Sequence, residues 1–152
     1  MVTEGQPAPE FELGTDDGGT IRLADLRGRS VVLFFYPRDD TPGCTREACG
    51  FRDAFAEFER RGAALLGVSP DDEASHARFR AKHGLPFPLL ADPGGAVAQA
   101  YGVWREKRMY GKTFHGVHRS TFVIGPDGLV RRALVGVKPD GHADQVLAAL
   151  DA

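Results

Sequence analysis

The fold is decided by residues 30–49, SVVLFFYPRDDTPGCTREAC, where an apolar run changes abruptly into the start of a helix. After Ser30 the run is continuously apolar and rich in β-branched and aromatic residues, so residues 30–36 are expected to form a central strand buried on both faces. Pro37 ends this strand. Thr41 has a residue type favoured at a helix N-cap, and Pro42 has the type favoured at the first helical position. The stretch therefore predicts a buried strand, a short loop and a helix.

An apolar stripe runs down one side of this predicted helix, which we expect to continue to Gly62. The stripe follows i, i+4, i+7, i+11, i+14 spacing and consists of Cys44, Ala48, Phe51, Phe55 and Phe58. Cys44 falls in the first turn, where unpaired backbone N–H groups and the helix dipole favour an anion. A thiol there ionises more readily than a free cysteine, and its place on the stripe puts the sulfur in a pocket against the sheet. The pattern predicts a protected, activated thiolate.

The second cysteine, Cys49, lies five residues after Cys44 and on the outward side of the same predicted helix. Helix geometry separates the two Cα atoms by roughly 8.6 Å, which exceeds the ~7 Å limit for a disulfide. A bond between Cys44 and Cys49 therefore requires this part of the helix to unwind.

The remaining segments predict an α/β fold with a central mixed sheet flanked by helices. Two candidate strands, 11–13 and 20–23, flank a glycine-containing turn and predict an N-terminal β-hairpin. Further strands are expected at 63–68, 87–90, 120–124 and 129–135, and further helices at 69–84, 92–101 and 141–150. The alternation of strands and helices predicts a three-layer arrangement in one domain spanning residues 1–152.

Composition excludes several classes of protein. A chain of 152 residues buries enough surface to fold without a structural metal or disulfide, so its two cysteines are not needed to hold the fold together. The longest apolar run, residues 31–36, is far too short for a membrane span. The N-terminus lacks the basic and apolar segments of a signal peptide, which predicts a cytoplasmic protein. The near balance of 19 basic and 21 acidic residues argues against a nucleic-acid binder.

The motif around Cys44 resembles that of a known family. Pro37, Thr41 and Cys44 reproduce the Pro-x-x-x-Thr-x-x-Cys signature of peroxiredoxins, which are thiol peroxidases with a thioredoxin-like fold. The continuation CTREACGFRD, the opening PAPEFEL and the segment GVWREKRMYGKTFHGVHRSTFVIGPDG resemble the bacterioferritin comigratory protein (PrxQ) subfamily. The resemblance covers nearly the whole chain.

The resemblance implies a role for each of five residues. Cys44 would attack the O–O bond of a peroxide as a thiolate, with Thr41 holding the attacked oxygen and Pro37 shielding the sulfur. Arg119 would stabilise both the thiolate and the charge that develops on the peroxide. Glu47 would orient that arginine.

A complete redox cycle follows from the same resemblance. The substrate would be hydrogen peroxide or an organic hydroperoxide, and the product at Cys44 a sulfenic acid that condenses with Cys49 to a disulfide. Thioredoxin or a related dithiol would reduce that disulfide. The resemblance implies no metal, flavin or haem cofactor, and the enzyme is expected to be a monomer.

The residues considered without the resemblance leave other interpretations open. A peroxide-sensing thiol module without efficient turnover is the principal alternative, whereas a disulfide oxidoreductase would need a Cys-x-x-Cys motif that the chain lacks. A zinc site would use Cys44, Cys49, His115 and His118, but the histidine spacing is short and the cysteines diverge on the helix.

Two further expectations concern the surface. The basic segment Arg105 to Lys112 is predicted to be a solvated loop, with docking of an acidic partner as the alternative. The histidines other than His115 and His118, namely His76, His83 and His142, are expected at the surface.

Overall fold

The computed structural model describes residues 2–151, and a seven-stranded mixed sheet lies at its centre. The strands are β1 (Glu12–Thr15), β2 (Thr20–Arg22), β3 (Val31–Phe35), β4 (Ala64–Ser69), β5 (Leu89–Ala91), β6 (Trp104–Met109), β7 (Lys112–Val117), β8 (Ser120–Ile124) and β9 (Val130–Val135). The central sheet has the order β2-β1-β5-β4-β3-β8-β9, while β6 and β7 form a separate hairpin. Strand β3 runs parallel to β4 and antiparallel to β8, so the sheet is mixed as predicted.

Helices cover both faces of this sheet. They are α1 (Pro42–Asp53), α2 (Phe55–Arg60), α3 (Glu73–His83), α4 (Ala96–Ala100) and α5 (His142–Asp151), with short 3-10 turns at Leu23–Leu26 and Pro93–Gly95. Apolar residues of α1, α2, α3 and α5 pack with Val32 and Phe34 of β3. The opposite face of β3 packs against α4 and the base of the β6–β7 hairpin. No helix within residues 2–151 has the length and apolar character that a membrane span requires.

Strand β3 confirms the prediction made from the apolar run. All five of its residues are buried, because alternate side chains point into the two separate apolar clusters. In the neighbouring strand β4, Gly67 packs closely against the side chains of Phe34 and Leu89. A Cβ atom at this position would lie 2.8 Å from each of them. The N-terminal hairpin is also confirmed, with β1 and β2 paired antiparallel.

Three predicted helices have different bounds in the structure. The helix expected at 92–101 is a 3-10 turn, Pro93–Gly95, followed by α4, Ala96–Ala100. The helix that begins at Pro42 breaks at Ala54, with φ −98° and ψ 4°, so the expected stripe is divided between α1 and α2. Phe55 is consequently only half-buried, whereas Phe58 remains buried. Helix α3 starts at Glu73 rather than at residue 69, because the Asp72 side chain caps it by accepting a hydrogen bond from the Ser75 N–H.

The prediction of a loop between Arg105 and Lys112 is wrong. Strands β6 and β7 pair antiparallel across a turn formed by Tyr110 and Gly111, both with positive φ. That conformation is typical of a two-residue hairpin turn. The strands are mostly polar and exposed, so they lack the alternation of apolar and polar residues by which a half-buried strand is predicted.

Candidate active site

Cys44 lies in the first turn of α1, and its side chain is buried at 2% exposure. Thr41 occupies the N-cap in extended conformation, and its carbonyl accepts the N–H of Thr45 at 2.8 Å. The Thr41 hydroxyl makes no capping bond; it donates instead to the carbonyl of Arg38 at 2.9 Å. The predicted position of the cysteine is confirmed. The Thr41 hydroxyl is hydrogen-bonded to the loop before the helix and not to the helix itself.

Arg119 connects the cysteine to a buried carboxylate. Its Nη2 lies 3.3 Å from the Cys44 sulfur, and its Nη1 donates to Glu47 Oε1 at 2.7 Å. The backbone of Arg119 is held at the start of β8, where its carbonyl accepts the N–H groups of Gly136 and Val137 at 3.0 Å. Burial by itself lowers the pKa of Arg119, but attraction to Glu47 and Cys44 outweighs it and the pKa is raised. The guanidinium is therefore a fixed positive charge beside the sulfur.

Glu47 is buried and incompletely hydrogen-bonded. Burial raises the pKa of its carboxyl group to about 7, against the opposing attraction of Arg119. One oxygen, Oε2, has no hydrogen-bond partner. The carboxyl group is therefore poised to gain or lose a proton near neutral pH.

Gly43 gives Arg119 the space to reach the sulfur. A Cβ atom at this position would lie 3.3 Å from Arg119 Nη2 and 3.4 Å from Pro139 Cγ. The contact with Arg119 is tighter than ordinary packing and the contact with Pro139 is at its limit, so a larger residue would move the guanidinium. This role could not be predicted from the sequence, because nothing there distinguishes Gly43 from any other residue in the first turn of a helix.

The loop before α1 is anchored by a buried polar network centred on Asp39. Its carboxylate accepts from the Tyr36 hydroxyl at 2.6 Å, and its Oδ2 lies 2.7 Å from both Ser75 Oγ and His76 Nδ1. The other ring nitrogen of His76 lies 2.9 Å from the carbonyl of Leu90. With an acceptor at each nitrogen, the ring is held as an imidazolium. Burial lowers the pKa of His76, but Asp39 more than compensates and the pKa is raised.

A second anchor lies at the next loop residue. Asp40 has a positive φ of 57°, which is uncommon for a residue other than glycine. Its carboxylate forms an ion pair with Lys82 at 2.8 Å and lies 3.3 Å from Nε2 of His83, at the C-terminal end of α3. Together Asp39 and Asp40 fix the loop that carries Pro37, which is half-buried, to α3.

The prediction that the remaining histidines lie at the surface is wrong for two of them. His76 and His142 are buried at 0% and 1% exposure, whereas His83 is partly exposed. His142 packs edge-on against Phe51 on the inner side of α5. Helical spacing offered a signal: His76 precedes the buried Phe79 by three residues, and residues three apart share a helix face.

Cys49 lies in the same continuous helix as Cys44 and is half-exposed, and both thiols are free. The sequence prediction that a disulfide between them requires unwinding of α1 therefore applies to this conformation. The structure brings together Cys44, Glu47 and Arg119, places Thr41 at the N-cap of α1 and leaves Cys49 half-exposed.

Lys107 on β6 is a charged neighbour of the site that the sequence did not single out. Burial lowers the pKa of Lys107, and repulsion from Arg119 lowers it further, while Cys44 acts in the opposite direction. The hairpin therefore contributes a second cation near the sulfur.

The residues that offer metal ligands lie elsewhere. Within residues 2–151, a single group of three potential ligands is found, consisting of Asp39, Asp71 and His76. Hydrogen bonds among these residues and their neighbours already occupy the group. The four residues of the alternative zinc site, Cys44, Cys49, His115 and His118, form no such group in this part of the chain.

Comparison with known proteins gives consistent matches over the whole fold. Residues 4–133 match the model of the AhpC/TSA family. The chain is 45% identical over 149 residues to a putative peroxiredoxin bcp of Coxiella burnetii, covering 98% of this chain and 99% of that protein. It is 44% identical over 146 residues to peroxiredoxin Bcp of Bacillus subtilis, covering 96% and 93%.

Solved structures show the same similarity. Bacterioferritin comigratory protein of Xanthomonas campestris, studied for alkyl peroxide reduction, superposes with a TM-score of 0.89 at 45% identity, covering 93% of this chain and 90% of that one. A cysteine-to-serine variant of PrxQ from Xylella fastidiosa superposes with a TM-score of 0.94 at 36% identity, covering 99% and 96%.

Proposed function

Because the chain belongs to the AhpC/TSA family and is a peroxiredoxin, a thiol peroxidase, we propose that Cys44 is the residue that reduces the peroxide. The observation that carries this assignment is the 3.3 Å contact between Arg119 Nη2 and the Cys44 sulfur at the start of α1. A cation and a helix N-terminus both favour the thiolate, which is the nucleophilic form of cysteine. Cys49 lacks the first-turn position and lies on the outer side of the helix.

In the proposed first step the Cys44 sulfur is oxidised by two electrons and the peroxide is reduced. The Cys44 thiolate attacks one peroxide oxygen, the O–O bond breaks, and the departing oxygen takes a proton to leave as water or an alcohol. Arg119 stabilises the negative charge as it moves from sulfur to the leaving oxygen. The Thr41 hydroxyl donates to Arg38, so its oxygen lone pairs are available to accept a hydrogen bond from the peroxide.

Resolution is proposed to use Cys49. Its thiol attacks the Cys44 sulfenic acid, a disulfide forms and water is released. Since Cys49 follows Cys44 by five positions in a helix, the sulfurs are held apart and the step includes unwinding of α1 between Cys44 and Cys49. A dithiol reductant, thioredoxin or a similar protein, then restores both thiols by disulfide exchange.

The proposal extends to the form in which the enzyme works. Residues 1–152 act as one peroxiredoxin domain, in a monomer, in the cytoplasm, on hydrogen peroxide and organic hydroperoxides. The principal alternative, a peroxide-sensing thiol module, shares the first oxidation but not rapid re-reduction. Sustained peroxide consumption in the presence of thioredoxin, its reductase and NADPH supports the enzyme, and a single oxidation without turnover supports the sensor.

Mass measurement tests the assignment of the two cysteines. After one equivalent of peroxide, the intact protein should lose two hydrogens, and peptide mapping should place the bond between Cys44 and Cys49. Cys49→Ser should stop thioredoxin-dependent turnover while allowing one oxidation at Cys44. The assignment is overturned by a Cys44→Ser variant that retains peroxide turnover, or by a disulfide-free product in the wild type.

A further inference from the structure

The unpartnered oxygen of Glu47 faces a histidine. Oε2 of Glu47 lies 3.8 Å from Nε2 of His142, and both side chains are fully buried. This is the oxygen that has no hydrogen-bond partner, whereas its companion Oε1 is bonded to Arg119. A buried acceptor left unpaired is destabilising, so its position opposite a titratable ring calls for a chemical explanation.

The hydrogen bonds of His142 define its tautomer. Nδ1 lies 2.9 Å from the side-chain oxygen of Gln145, which is an acceptor, so Nδ1 carries the proton. Nε2 then accepts from the Thr121 hydroxyl at 2.6 Å. Burial lowers the pKa of His142, and the charge of Arg119 lowers it further. In this form the lone pair of Nε2 is occupied by the Thr121 hydroxyl, so Nε2 takes up a proton only when that hydroxyl turns to accept instead of donate.

The charged groups around the pair are few. Arg119, immediately before β8, contacts Glu47, and the Cys44 thiol of α1 contacts Arg119. Lys107 of the hairpin interacts electrostatically with Arg119 and Cys44. The loop before α5 carries an ion pair between Asp140 and Arg46, but both side chains are largely exposed and solvent screens them. The net charge near the sulfur is therefore governed by Arg119, Lys107 and the protonation of the Glu47–His142 pair.

We propose that His142 is a positioning residue for the peroxidase reaction: His142 and Glu47 together hold one shared proton, on either His142 Nε2 or Glu47 Oε2, whose atoms lie 3.8 Å apart, and that proton controls how much of the charge of Arg119 acts on Cys44. The inference rests on the proposed role of Cys44. It assigns a function to α5. Within residues 2–151, this helix makes no hydrogen bond to the Cys44 sulfur or to the loop before α1.

Charge arithmetic gives the direction of the effect. When the pair holds the shared proton, either as a carboxylic acid with a neutral ring or as a carboxylate with an imidazolium, its net charge is zero and Arg119 contributes a full positive charge. When the proton leaves, Glu47 is a carboxylate beside a neutral ring and cancels Arg119. Protonation of the pair therefore favours the Cys44 thiolate, and its deprotonation disfavours it.

The pH dependence of Cys44 alkylation tests the proposal. In a Cys49→Ser background only Cys44 reacts with iodoacetamide, and no peroxide is needed. We expect the wild-type pair to produce a rate profile with two coupled ionisations. Glu47→Gln, which cannot ionise, should give a single ionisation. His142→Phe should shift the second ionisation to lower pH and reduce the alkylation rate at pH 7 by about threefold, because the carboxyl group alone holds the proton less tightly.

An infrared measurement and a packing control separate this role from a structural one. The C=O band of a protonated carboxyl group should titrate near neutral pH, disappear in Glu47→Gln and move in His142→Phe. Val146→Ala loosens the same helix from its buried face and should leave both ionisations in place. His142→Gln, which retains a side-chain acceptor, should restore part of the wild-type profile.

The proposal is overturned if folded His142→Phe shows both ionisations at their wild-type positions, or if Val146→Ala moves them equally. These results concern alkylation of a thiol and do not depend on peroxide turnover. A wild-type protein that failed to consume peroxide would instead overturn the proposed function.

Discussion

The Asp39 carboxylate lies 2.7 Å from Nδ1 of His76, in the interior of the protein. The pair joins the loop between β3 and α1 to the first half of α3, where Ser75 adds a further hydrogen bond. Since α1 begins immediately after this loop, the position of the Cys44 sulfur depends on a buried ion pair that it does not touch.

Removal of His76 should therefore reduce both stability and catalysis. His76→Phe leaves the buried Asp39 carboxylate without its cation, for which we expect a loss of about 3–5 kcal/mol in the free energy of unfolding. If the fold persists, the rate of Cys44 oxidation should fall about tenfold. Denaturant unfolding and stopped-flow oxidation measure the two effects. Ser75→Ala removes one hydrogen bond and should lose only about 1 kcal/mol, and equal losses would argue against the ion pair.

The same pair should make stability depend on pH. The pKa of His76 is raised in the folded protein, so the stabilisation is fully present below the unfolded value of about 6.5 and is lost as pH rises through the folded pKa. The difference in unfolding free energy between wild type and His76→Phe, measured at a series of pH values, should shrink with increasing pH. A constant difference would show that the ring is not charged.

Glu47 should destabilise the fold at high pH. Its pKa rises from 4.5 to about 7 on folding, so the folded state binds more protons than the unfolded state between these values and stability falls as pH increases through them. Relative to wild type, Glu47→Gln should gain about 3 kcal/mol between pH 4 and pH 8.5. Denaturant unfolding at both pH values checks this, with Glu59→Gln on exposed α2 as the control. Parallel pH profiles for wild type and Glu47→Gln would refute it.

Lys107 should attract anions to the active site. Lys107→Gln is expected to slow alkylation of Cys44 by anionic iodoacetate about two- to threefold more than alkylation by neutral iodoacetamide, at low ionic strength. Lys112→Gln, on the exposed end of the same hairpin, is the matched control and should show no such selectivity. Equal slowing with both reagents would mean that Lys107 acts through structure rather than charge.

Stiffening α1 should slow disulfide formation. A Cβ atom at Gly50 would lie 3.9 Å from Ala143, an ordinary contact, so Gly50→Ala fits and favours the helix by about 1 kcal/mol. Rapid-quench kinetics should show the Cys44–Cys49 disulfide forming up to about fivefold more slowly. Oxidation of Cys44 in the Cys49→Ser background should be unchanged. Unaltered disulfide kinetics in a stabilised variant would indicate that residue 50 stays helical during resolution.

Much of the framework could be predicted because its signals are local. The buried run at β3, the N-terminal hairpin and the N-cap at Thr41 each follow from residue types a few positions apart. The placement of Arg119 beside Cys44 depended on family resemblance, since 75 residues separate them and no periodicity connects them.

The features that could not be predicted are set by tertiary contacts. No glycine or proline marks the break at Ala54. Strands β6 and β7 are mostly polar, so their sequences do not predict the hairpin that they form. The sequence pattern puts His76 and His142 on polar helix faces or termini, which predicts exposure, yet each finds buried partners on a distant segment. Such pairings follow from the folded arrangement rather than from sequence spacing.

Helix α1 has a defined boundary at each end. Upstream, Asp39 and Asp40 fasten the loop to α3; downstream, the helix stops at Ala54 before α2 begins. The rearrangement proposed for disulfide formation is thereby confined to a local opening of at most 12 residues. Turnover should then follow the free energy of that opening and be insensitive to global stability, so substitutions that weaken the far edge of the sheet would lower the melting temperature without changing the rate of the cycle.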